Sequence, residues 1–299
     1  MRNILLKLLF LLMISVVNNY ALAFDVQGHR GSRGLFPENT LPAFTGAIEA
    51  GANTLELDLQ VTSDGEIVIH HDYFVGDTTS IFSGTLIRFL ELSEIKKIDC
   101  GSKIDPDFPR QRRMPGIQIP TLDELFVLID SSTHPNAKNV RLNLEIKRDP
   151  RHPEFSLSAE ELAVKIISKV QEKGFSERVC YSSFDPEVLM NIYQLDPKSE
   201  LGFIIGQESL EVAQVLYPDN PMGLLLKLAK SFDAKVLALS MDLLCDASLV
   251  SFLHESGFQV IAWTVNFPEQ WTKCIKMRVD GIITDYPQDL LWFLKEKGG

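Results

Sequence analysis

The sequence predicts an α/β fold, a TIM-like (β/α)8 barrel, and three observations lead to that prediction. Short apolar runs alternate with longer amphipathic runs, which predicts a mainly parallel sheet covered by helices. About eight such units fit in the roughly 276 residues that follow a predicted leader, and this is the size of one barrel. Polar residues cluster at the predicted strand ends. A barrel gathers such ends at one mouth, whereas an open doubly wound sheet, the alternative, spreads them apart.

The predicted elements follow that alternation along the chain. Strands are expected where short apolar or alternating runs are bounded by turn residues, at 25–30, 54–60, 66–70, 140–147, 178–183, 201–205, 235–240, 259–265 and 281–284. Helices are expected where apolar residues recur at helical spacing, at 40–50, 121–130, 158–173, 186–195, 222–231, 246–256, 268–277 and 287–297. The first helix begins with Asn39 or Thr40 as its cap, and Asn39 is equally open to a role in holding the preceding loop.

The segment from Gly76 to Gln118 interrupts this alternation. It is punctuated by Pro and Gly, and one short helix is expected near residues 92–98. Loops of this length in a compact domain are usually functional, so we expect an insertion, after the second barrel strand, that lies over the mouth. A packed surface loop is the alternative. The basic cluster at 110–113 is expected to be a solvated part of it.

The first 23 residues have the three parts of a secretory signal. Arg2 and Lys7 precede an uncharged apolar run over 8–17, and the small-residue site Ala21-Leu22-Ala23 follows. A transmembrane anchor is the alternative, but the apolar run is shorter than the roughly 20 residues that span a bilayer. We therefore expect cleavage after Ala23, with residues 24–299 forming one exported barrel domain that has no stable insertion in a membrane.

The net charge limits the classes of partner, and the cysteine content limits the possible zinc sites and disulfides. The formal net charge of −11 argues against nucleic acid or an anionic membrane surface, because both attract clustered Lys and Arg, so we expect a small-molecule substrate. The four cysteines show no zinc-site spacing and are expected to be mostly buried thiols. Export permits a disulfide, and the sequence does not select a pair among Cys100, Cys180, Cys245 and Cys274.

Three carboxylates point to a divalent cation. Glu56 and Asp58 stand at i and i+2 on a predicted strand, so their side chains share one face. Two buried carboxylates that close repel each other unless a cation lies between them or one takes a proton. Mg²⁺ or Ca²⁺ prefers such oxygen ligands. On another strand, Glu145 can supply a third ligand and Lys147 can meet a phosphate, although these two could also form only a salt bridge.

Histidines near the carboxylates are the candidates for proton transfer. Two histidines, two carboxylates and an arginine at strand-like spacings within residues 28–72 point to phosphate-ester chemistry at a metal ion. Imidazole has an ordinary pKa near 6.5, which suits the general acid or the general base of such a reaction. His29 is one candidate, and His70 competes with His71 for the second role because neighbouring strand residues face opposite sides. Asp72 either orients the chosen imidazole or begins the following turn.

The remaining polar and aromatic candidates carry weaker predictions. Arg30 offers a planar fork that suits phosphate oxygens, with a structural ion pair as the alternative. Arg33 is expected in a surface loop. Trp263 either forms an apolar wall for part of a substrate or packs in the core, and Asp285 could cap the last helix. Packing is the expected role of the other aromatic residues considered, Phe184, Trp271, Tyr286 and Trp292.

Together these motifs resemble the glycerophosphodiester phosphodiesterases. The matching runs are HRGSRGLFPENTLPAF, ELDLQVTSDGEIVIHHD, IPTLDEL, NLEIK, AWTVN and GIITDYP, and they extend over nearly all of the chain after the leader. Each short run is weakly specific, whereas the set is highly specific. The resemblance implies a TIM-like barrel, a divalent metal ion, and hydrolysis of glycerophosphodiesters to sn-glycerol 3-phosphate and an alcohol. With the leader, it implies the exported bacterial type, in the periplasm.

Site residues follow from the resemblance by motif. It implies His29 and His71 as the acid/base pair, which decides against His70, and Arg30 and Lys147 as phosphate-binding residues. It also implies three metal ligands, Glu56, Asp58 and Glu145. Two alternatives stay open: a lipid phosphodiesterase of the lysophospholipase D or sphingomyelinase D type, and a catalytically idle binding protein. The insertion and the region 207–220 are where substrate choice is least specified.

Overall fold

The computed structural model describes residues 24–76, 82–103 and 105–297, so the predicted leader lies outside the described residues. Its strands are β1 (Asp25–Gly28), β2 (Thr54–Val61), β3 (Ile67–Ile69), β4 (Arg141–Ile146), β5 (Val179–Ser183), β6 (Glu200–Ile205), β7 (Val236–Ser240), β8 (Gln259–Trp263) and β9 (Gly281–Thr284). Its helices are α1 (Leu41–Ala50), α2 (Leu92–Ile95), α3 (Leu122–Ser131), α4 (Ala159–Glu172), α5 (Pro186–Leu195), α6 (Gln207–Leu216), α7 (Pro221–Ser231), α8 (Ala247–Glu255), α9 (Pro268–Met277) and α10 (Pro287–Lys297).

Eight of the strands close into a parallel barrel. β1 pairs in parallel with both β2 and β9, and the order around the barrel is β1-β9-β8-β7-β6-β5-β4-β2. β3 stands outside the barrel, antiparallel to β2. The predicted TIM-like barrel is therefore confirmed. Because the eight strands are parallel, all of their C-terminal ends meet at one mouth.

Strand β2 shows how the alternating sequence builds the two faces of the barrel wall. Leu55, Leu57 and Leu59 are fully buried and belong to the main core between the strands and the helices. Glu56 and Asp58 are also buried, on the opposite face, which points into the barrel. The sequence pattern thus places apolar groups against helices and carboxylates inside.

Helix termini follow the local sequence signals. Thr40, not Asn39, caps α1, where its side chain accepts a hydrogen bond from the backbone N–H of Ala43. The helix ends at Gly51, whose φ of 96° lies in the left-handed region that favours glycine. α3 begins with a capping box in which Thr121 and Glu124 exchange side-chain and backbone hydrogen bonds.

Two departures of the observed elements from the predicted ones bear on the site. Helix α6 (Gln207–Leu216) was not predicted, and among its residues only Ala213 is buried. Strand β1 ends at Gly28 rather than at residue 30, because Arg30 and Gly31 turn the chain with φ values of 51° and 84°. His29 and Arg30 therefore lie on the loop that leaves the barrel.

The insertion, strand β3 and the residues next to the insertion share a small apolar core beside the barrel. Its buried residues are Val68, Val75, Ile87, Leu90, Ile95, Ile98 and Ile119. The loop at 110–113 is tied to the barrel, since Gln111 donates to the backbone carbonyls of Arg33 and Phe36 and Arg110 pairs with Asp289. Its three arginines are exposed, in keeping with a solvated cluster.

Two further properties concern the chain as described. Across residues 24–76, 82–103 and 105–297 the structure contains no helix with the length and apolar character needed to cross a membrane. All four cysteines carry free thiols, of which those of Cys180 and Cys274 are buried and that of Cys245 is exposed.

Candidate active site

A cavity of about 260 Å³ opens at the C-terminal ends of the barrel strands, and we call it the site cavity. Seven of the residues predicted to act in the site line it: His29, Arg30, Glu56, His71, Glu145, Lys147 and Trp263. The eighth, Asp58, is buried beside Glu56 and Glu145. The structure therefore brings together residues that are more than 200 positions apart in the chain, while the role of each residue stays a prediction.

Three carboxylates form one cluster in the wall of this cavity. Glu56, Asp58 and Glu145 each offer an oxygen, and these atoms lie within 4.8 Å of one another. The fold produces the cluster in two steps. Glu56 and Asp58 share a face of β2, and Asp58 is the register partner of Glu145 on the parallel strand β4.

The pKa values of Glu56 and Asp58 are shifted in opposite directions within the cluster. Burial, with the charges of Asp58 and Glu145, raises the pKa of Glu56 well above its usual value. Burial also acts to raise the pKa of Asp58, but Lys147 and Arg30 outweigh it, so that this pKa lies below its usual value. Without a cation, Glu56 is the member of the cluster that holds a proton most readily.

The donor set of this cluster fits a divalent cation. All three groups supply carboxylate oxygens, which Mg²⁺ and Ca²⁺ prefer. Each group is also held by a second partner. Glu56 accepts from the backbone N–H of Arg30 at 2.8 Å, Asp58 accepts from the Asn39 amide at 2.8 Å, and Glu145 accepts from the Lys147 ammonium at 2.6 Å. Such outer partners fix the orientation of metal ligands. The side chain of Asn39 thus holds a carboxylate of the cluster and does not cap the helix.

His29 is held by a partner from the far end of the chain. Its Nδ1 lies 2.6 Å from Oδ1 of Asp285, and Oδ2 of Asp285 accepts from the side-chain amide of Asn266 at 2.5 Å. Burial acts to raise the pKa of Asp285, but the charge and hydrogen bond of His29 outweigh it and lower this pKa. Asp285 therefore orients His29, and the suggestion that it caps the last helix was wrong.

The two neighbouring histidines occupy different surroundings. His71 lines the site cavity, and its Nδ1 lies 2.7 Å from Oδ1 of Asp72. The Nε2 of His70 lies 3.4 Å from the Phe74 carbonyl oxygen, and burial lowers the His70 pKa. Both residues follow β3, which ends at Ile69, so the strand alternation used to separate them does not apply. The turn after β3 separates them instead.

Two arginines share one carboxylate at the edge of the cavity. The guanidinium of Arg30 donates to both oxygens of Glu38 at 2.9 and 3.0 Å, and its Nε lies 3.3 Å from Asp58. The Nε of Arg33 lies 2.5 Å from Glu38, while its NH2 lies 3.4 Å from Asp105 in the insertion. The prediction of Arg33 as a surface-loop residue was wrong, because it lines the cavity and its side chain is only 20% exposed.

The described part of the insertion reaches the site through Arg33. Among its described residues none lines the site cavity, and Asp105 meets Arg33 from outside. Phe108 packs under the same guanidinium, with the ring centroid 4.4 Å from the Arg33 Cζ. The described part of the insertion therefore supports one wall of the mouth instead of covering it.

Two aromatic rings form the apolar side of the cavity. Trp263 donates from its indole N–H to the Ala238 carbonyl at 2.9 Å and meets Phe184 edge to face, with ring centroids 5.5 Å apart. The Lys147 ammonium lies 5.9 Å from the centroid of Phe184. The prediction that Phe184 only packs is wrong, because its ring lines the site cavity. It directly follows β5, a position that a barrel brings to the mouth.

Comparison with known proteins places this arrangement in a family. The sequence profile described as the glycerophosphoryl diester phosphodiesterase family matches residues 29–289. A glycerophosphodiester phosphodiesterase of Caldanaerobacter subterraneus subsp. tengcongensis is 32% identical over 274 residues, which cover 92% of this chain and 98% of that protein.

Solved structures agree with the sequence comparison. A glycerophosphoryl diester phosphodiesterase from Silicibacter pomeroyi has a TM-score of 0.80 and 27% identity, over 92% of this chain and 94% of that one. A phosphodiesterase from Oleispira antarctica, solved with the product sn-glycerol-3-phosphate, has a TM-score of 0.72 and 25% identity, over 91% of this chain and 96% of that one.

Proposed function

Because this chain belongs to the glycerophosphoryl diester phosphodiesterase family and is therefore a phosphodiesterase, we propose that it hydrolyses glycerophosphodiesters, such as glycerophosphocholine and glycerophosphoethanolamine, to sn-glycerol 3-phosphate and an alcohol. One observation carries this proposal: two carboxylate-paired histidines and the three-carboxylate cluster face a single cavity. The product bound by the Oleispira antarctica protein supports the same substrate class.

The carboxylate cluster is where we place a divalent cation, Ca²⁺ or Mg²⁺. Glu56, Asp58 and Glu145 would hold it, and the hydrogen bonds from Arg30, Asn39 and Lys147 keep their oxygens directed at one point. When bound, such an ion acts as a Lewis acid that polarises the phosphoryl group and neutralises developing charge.

His29 and His71 are the proposed proton-transfer residues. One imidazole deprotonates the attacking hydroxyl, either a water or the neighbouring glycerol hydroxyl, and the other protonates the departing alcohol. The pairing of each Nδ1 with a carboxylate, at 2.6 and 2.7 Å, supports these roles, since it fixes the ring orientation.

Positive charge near the cavity suits a phosphate substrate. The Lys147 ammonium is buried beside Glu145 and Asp58, and their charges outweigh the effect of burial and raise its pKa, so that it stays protonated. Arg30 and Arg33 line the same cavity and present donors in a planar fork. We assign phosphate contact to Lys147 and Arg30, add Arg33 to them, and assign the glycerol-facing apolar wall to Trp263.

Replacement of each histidine by alanine tests the assignment. H29A and H71A should each remove most of the activity on glycerophosphocholine, because each deletes one proton-transfer step. H70A is the matched control and should keep activity near that of the wild type, since His70 contacts the Phe74 carbonyl. Release of glycerol 3-phosphate and of choline is measured separately. Near-normal turnover by H29A or H71A would refute the histidine roles.

Chelation tests the metal separately. EDTA should abolish activity, and Ca²⁺ or Mg²⁺ should restore it. Full activity after chelation would refute the metal site at the carboxylate cluster, and it would not bear on the roles of the histidines. If metal-loaded protein hydrolyses no member of a panel of glycerophosphodiesters, the idle binding protein becomes the better explanation.

Export rests on the sequence of the first 23 residues, which lie outside the described residues. We propose that a bacterial host cleaves the chain after Ala23 and releases the barrel into the periplasm. N-terminal sequencing of protein from a periplasmic fraction tests this. A mature chain that starts at Met1 would contradict it.

A further inference from the structure

A second, larger depression adjoins the site cavity. Its volume is about 700 Å³, and Glu145, Lys147 and Phe184 line both spaces, so the two are continuous. This volume lies within the range of roughly 300–1,000 Å³ that is typical of pockets for small-molecule ligands. We call it the apolar groove.

Helices α6 and α7 supply the apolar walls of this groove. Val212 and Leu216 project from α6, and Leu224, Leu225 and Leu228 project from α7. Val212 is 52% exposed and Leu216 is 70% exposed, so these side chains border a ligand-sized space that water reaches. Exposed apolar groups that line a concave surface next to a reactive centre mark a ligand site.

The charged residues of the groove are already paired with one another. Arg148 pairs with Asp185, and Arg151 pairs with Glu208 and, at 2.7 Å, with Asp149. Glu145 and Lys147 form the pair at the junction with the site cavity, at 2.6 Å. Since each of these charges has a partner of opposite sign, the groove offers an apolar ligand contact area rather than an unpaired charge.

We propose that the apolar groove binds a long acyl or alkyl chain of the substrate, so that this enzyme prefers a single-chain lysophospholipid to a water-soluble glycerophosphodiester. The inference rests on the proposed function and names its substrate class. The occupant is a chain attached to the glycerol of the diester, because Phe184 lines both spaces and meets Trp263, to which the glycerol-facing wall is assigned.

The reaction on such a substrate keeps the same chemistry. The attacking oxygen forms a new bond to phosphorus, and the bond from phosphorus to the head-group oxygen breaks. That oxygen takes one proton and leaves as choline, while the acylated glycerol phosphate stays as the other product. Water attacks the phosphorus directly, or it opens a cyclic phosphate that an internal hydroxyl has formed. By either route one water molecule is consumed for each diester hydrolysed.

Chain-length dependence tests the proposal. Rates are compared for glycerophosphocholine and for lysophosphatidylcholines with six- and twelve-carbon chains, all as monomers below their critical micelle concentrations. Each fully buried methylene contributes up to about fourfold to binding. We therefore expect kcat/KM to rise at least about tenfold from the six-carbon to the twelve-carbon chain. Equal values for all three substrates would overturn the groove as a chain site.

Two substitutions on one helix localise the effect. V212E places a charge on the groove wall and should lower kcat/KM for the twelve-carbon substrate at least about tenfold, while glycerophosphocholine turnover stays unchanged. V215E is the matched control, because Val215 lies on the same helix, is 81% exposed and does not line the groove. Equal losses in V212E and V215E, or none in either, would refute the groove assignment.

A binding measurement separates this proposal from the proposed function. Dodecylphosphocholine, below its critical micelle concentration, should bind the wild-type protein and V215E in calorimetry, and V212E should bind it at least about tenfold more weakly. This result requires no turnover, so it would stand even if no diester were hydrolysed. Absence of binding to the wild-type protein would overturn the groove assignment whether or not glycerophosphocholine is a substrate.

Discussion

Replacement of Asp285 by asparagine should disable His29 while the fold is kept. Asp285 is only 2% exposed and has two side-chain partners, His29 through Oδ1 and Asn266 through Oδ2. The amide of D285N has the same shape as the carboxylate, but it carries one donor and one acceptor. Asn266 donates to position 285, so the amide oxygen must face Asn266 and the NH₂ group must face His29.

The size of the effect follows from this geometry. The 2.6 Å contact between His29 and Asp285 is a buried bond that involves a charged group, and such a bond is worth about 1.5–3 kcal/mol. A rate changes tenfold for about 1.4 kcal/mol, so the loss of this bond lowers kcat roughly 10- to 150-fold. The NH₂ group also requires a lone pair on Nδ1 of His29, which moves the ring proton to Nε2. We therefore expect the upper part of that range.

A second substitution should restore the tautomer. In the double variant D285N/N266D, the carboxylate at position 266 accepts from the new amide, whose oxygen can then accept from Nδ1 of His29. Oδ1 of position 266 still accepts from the Asp285 backbone N–H at 2.9 Å and from Thr284 at 3.1 Å, as in the wild type. We expect kcat of the double variant to exceed that of D285N at least about tenfold.

The assay is steady-state release of glycerol 3-phosphate, with thermal unfolding measured alongside it. D280N is the matched control, because Asp280 holds His254 at 2.8 Å in a similar pair outside the site cavity. It should change the melting temperature without lowering kcat. If D285N turns over within about threefold of the wild-type rate, or if N266D fails to improve it, Asp285 does not set the orientation of His29.

Three further predictions concern the carboxylate cluster, the arginines and the thiols. In metal-free protein the pKa of Glu56 is raised above its usual 4.5, so its contribution to stability is complete below about pH 4.5 and is lost as pH rises through the raised pKa. Melting temperatures across pH should show this decline, and E56Q should flatten it; a decline that survives in E56Q would contradict the assignment. R33M should raise KM roughly tenfold or more with a smaller change in kcat, because it removes a charge-assisted contact, whereas the exposed R113M should match the wild type. Ellman's reagent should label Cys245 first in native protein, C245S should lose that phase, and dithiothreitol should leave the melting temperature unchanged because the four thiols are free; a shift would reveal a disulfide.

Most of the fold could be predicted because the barrel repeats one local pattern. Each strand has apolar residues that face helices, and most helices bury an apolar stripe at helical spacing, so local sequence carries the signal. Helix α6 was missed although part of that signal is present. Val212, Val215 and Leu216 stand at i, i+3 and i+4 on one face, yet they are exposed, and the core takes only Ala213, with Leu210 packed partly against it. Burial therefore does not explain its sequence, whereas a groove beside the site does.

The partners of the site residues were harder to predict than the residues themselves. The pair of His29 with Asp285 depends on barrel closure, which places Gly28 of β1 in register with Thr284 of β9 and thus brings the next residue of each strand together. A predicted barrel already makes the first and last strands neighbours, so Asp285 could have been predicted as the partner of His29 from the sequence. The contact of Arg33 with Asp105 could not be predicted, because it depends on how an irregular insertion packs.

Charge balance links the fold to the proposed metal site. Glu56, Asp58 and Glu145 bring three potential negative charges into a buried cluster, and Lys147 and Arg30 bring two positive charges, one of which is shared with Glu38. The cluster therefore has one more carboxylate than its neighbours can neutralise, and the charges of Asp58 and Glu145 add to the larger effect of burial in raising the pKa of Glu56. A divalent ion would supply the missing positive charge and displace that proton. Affinity for the ion should thus fall as pH falls through the raised pKa of Glu56, because the ion then competes with a proton for that carboxylate.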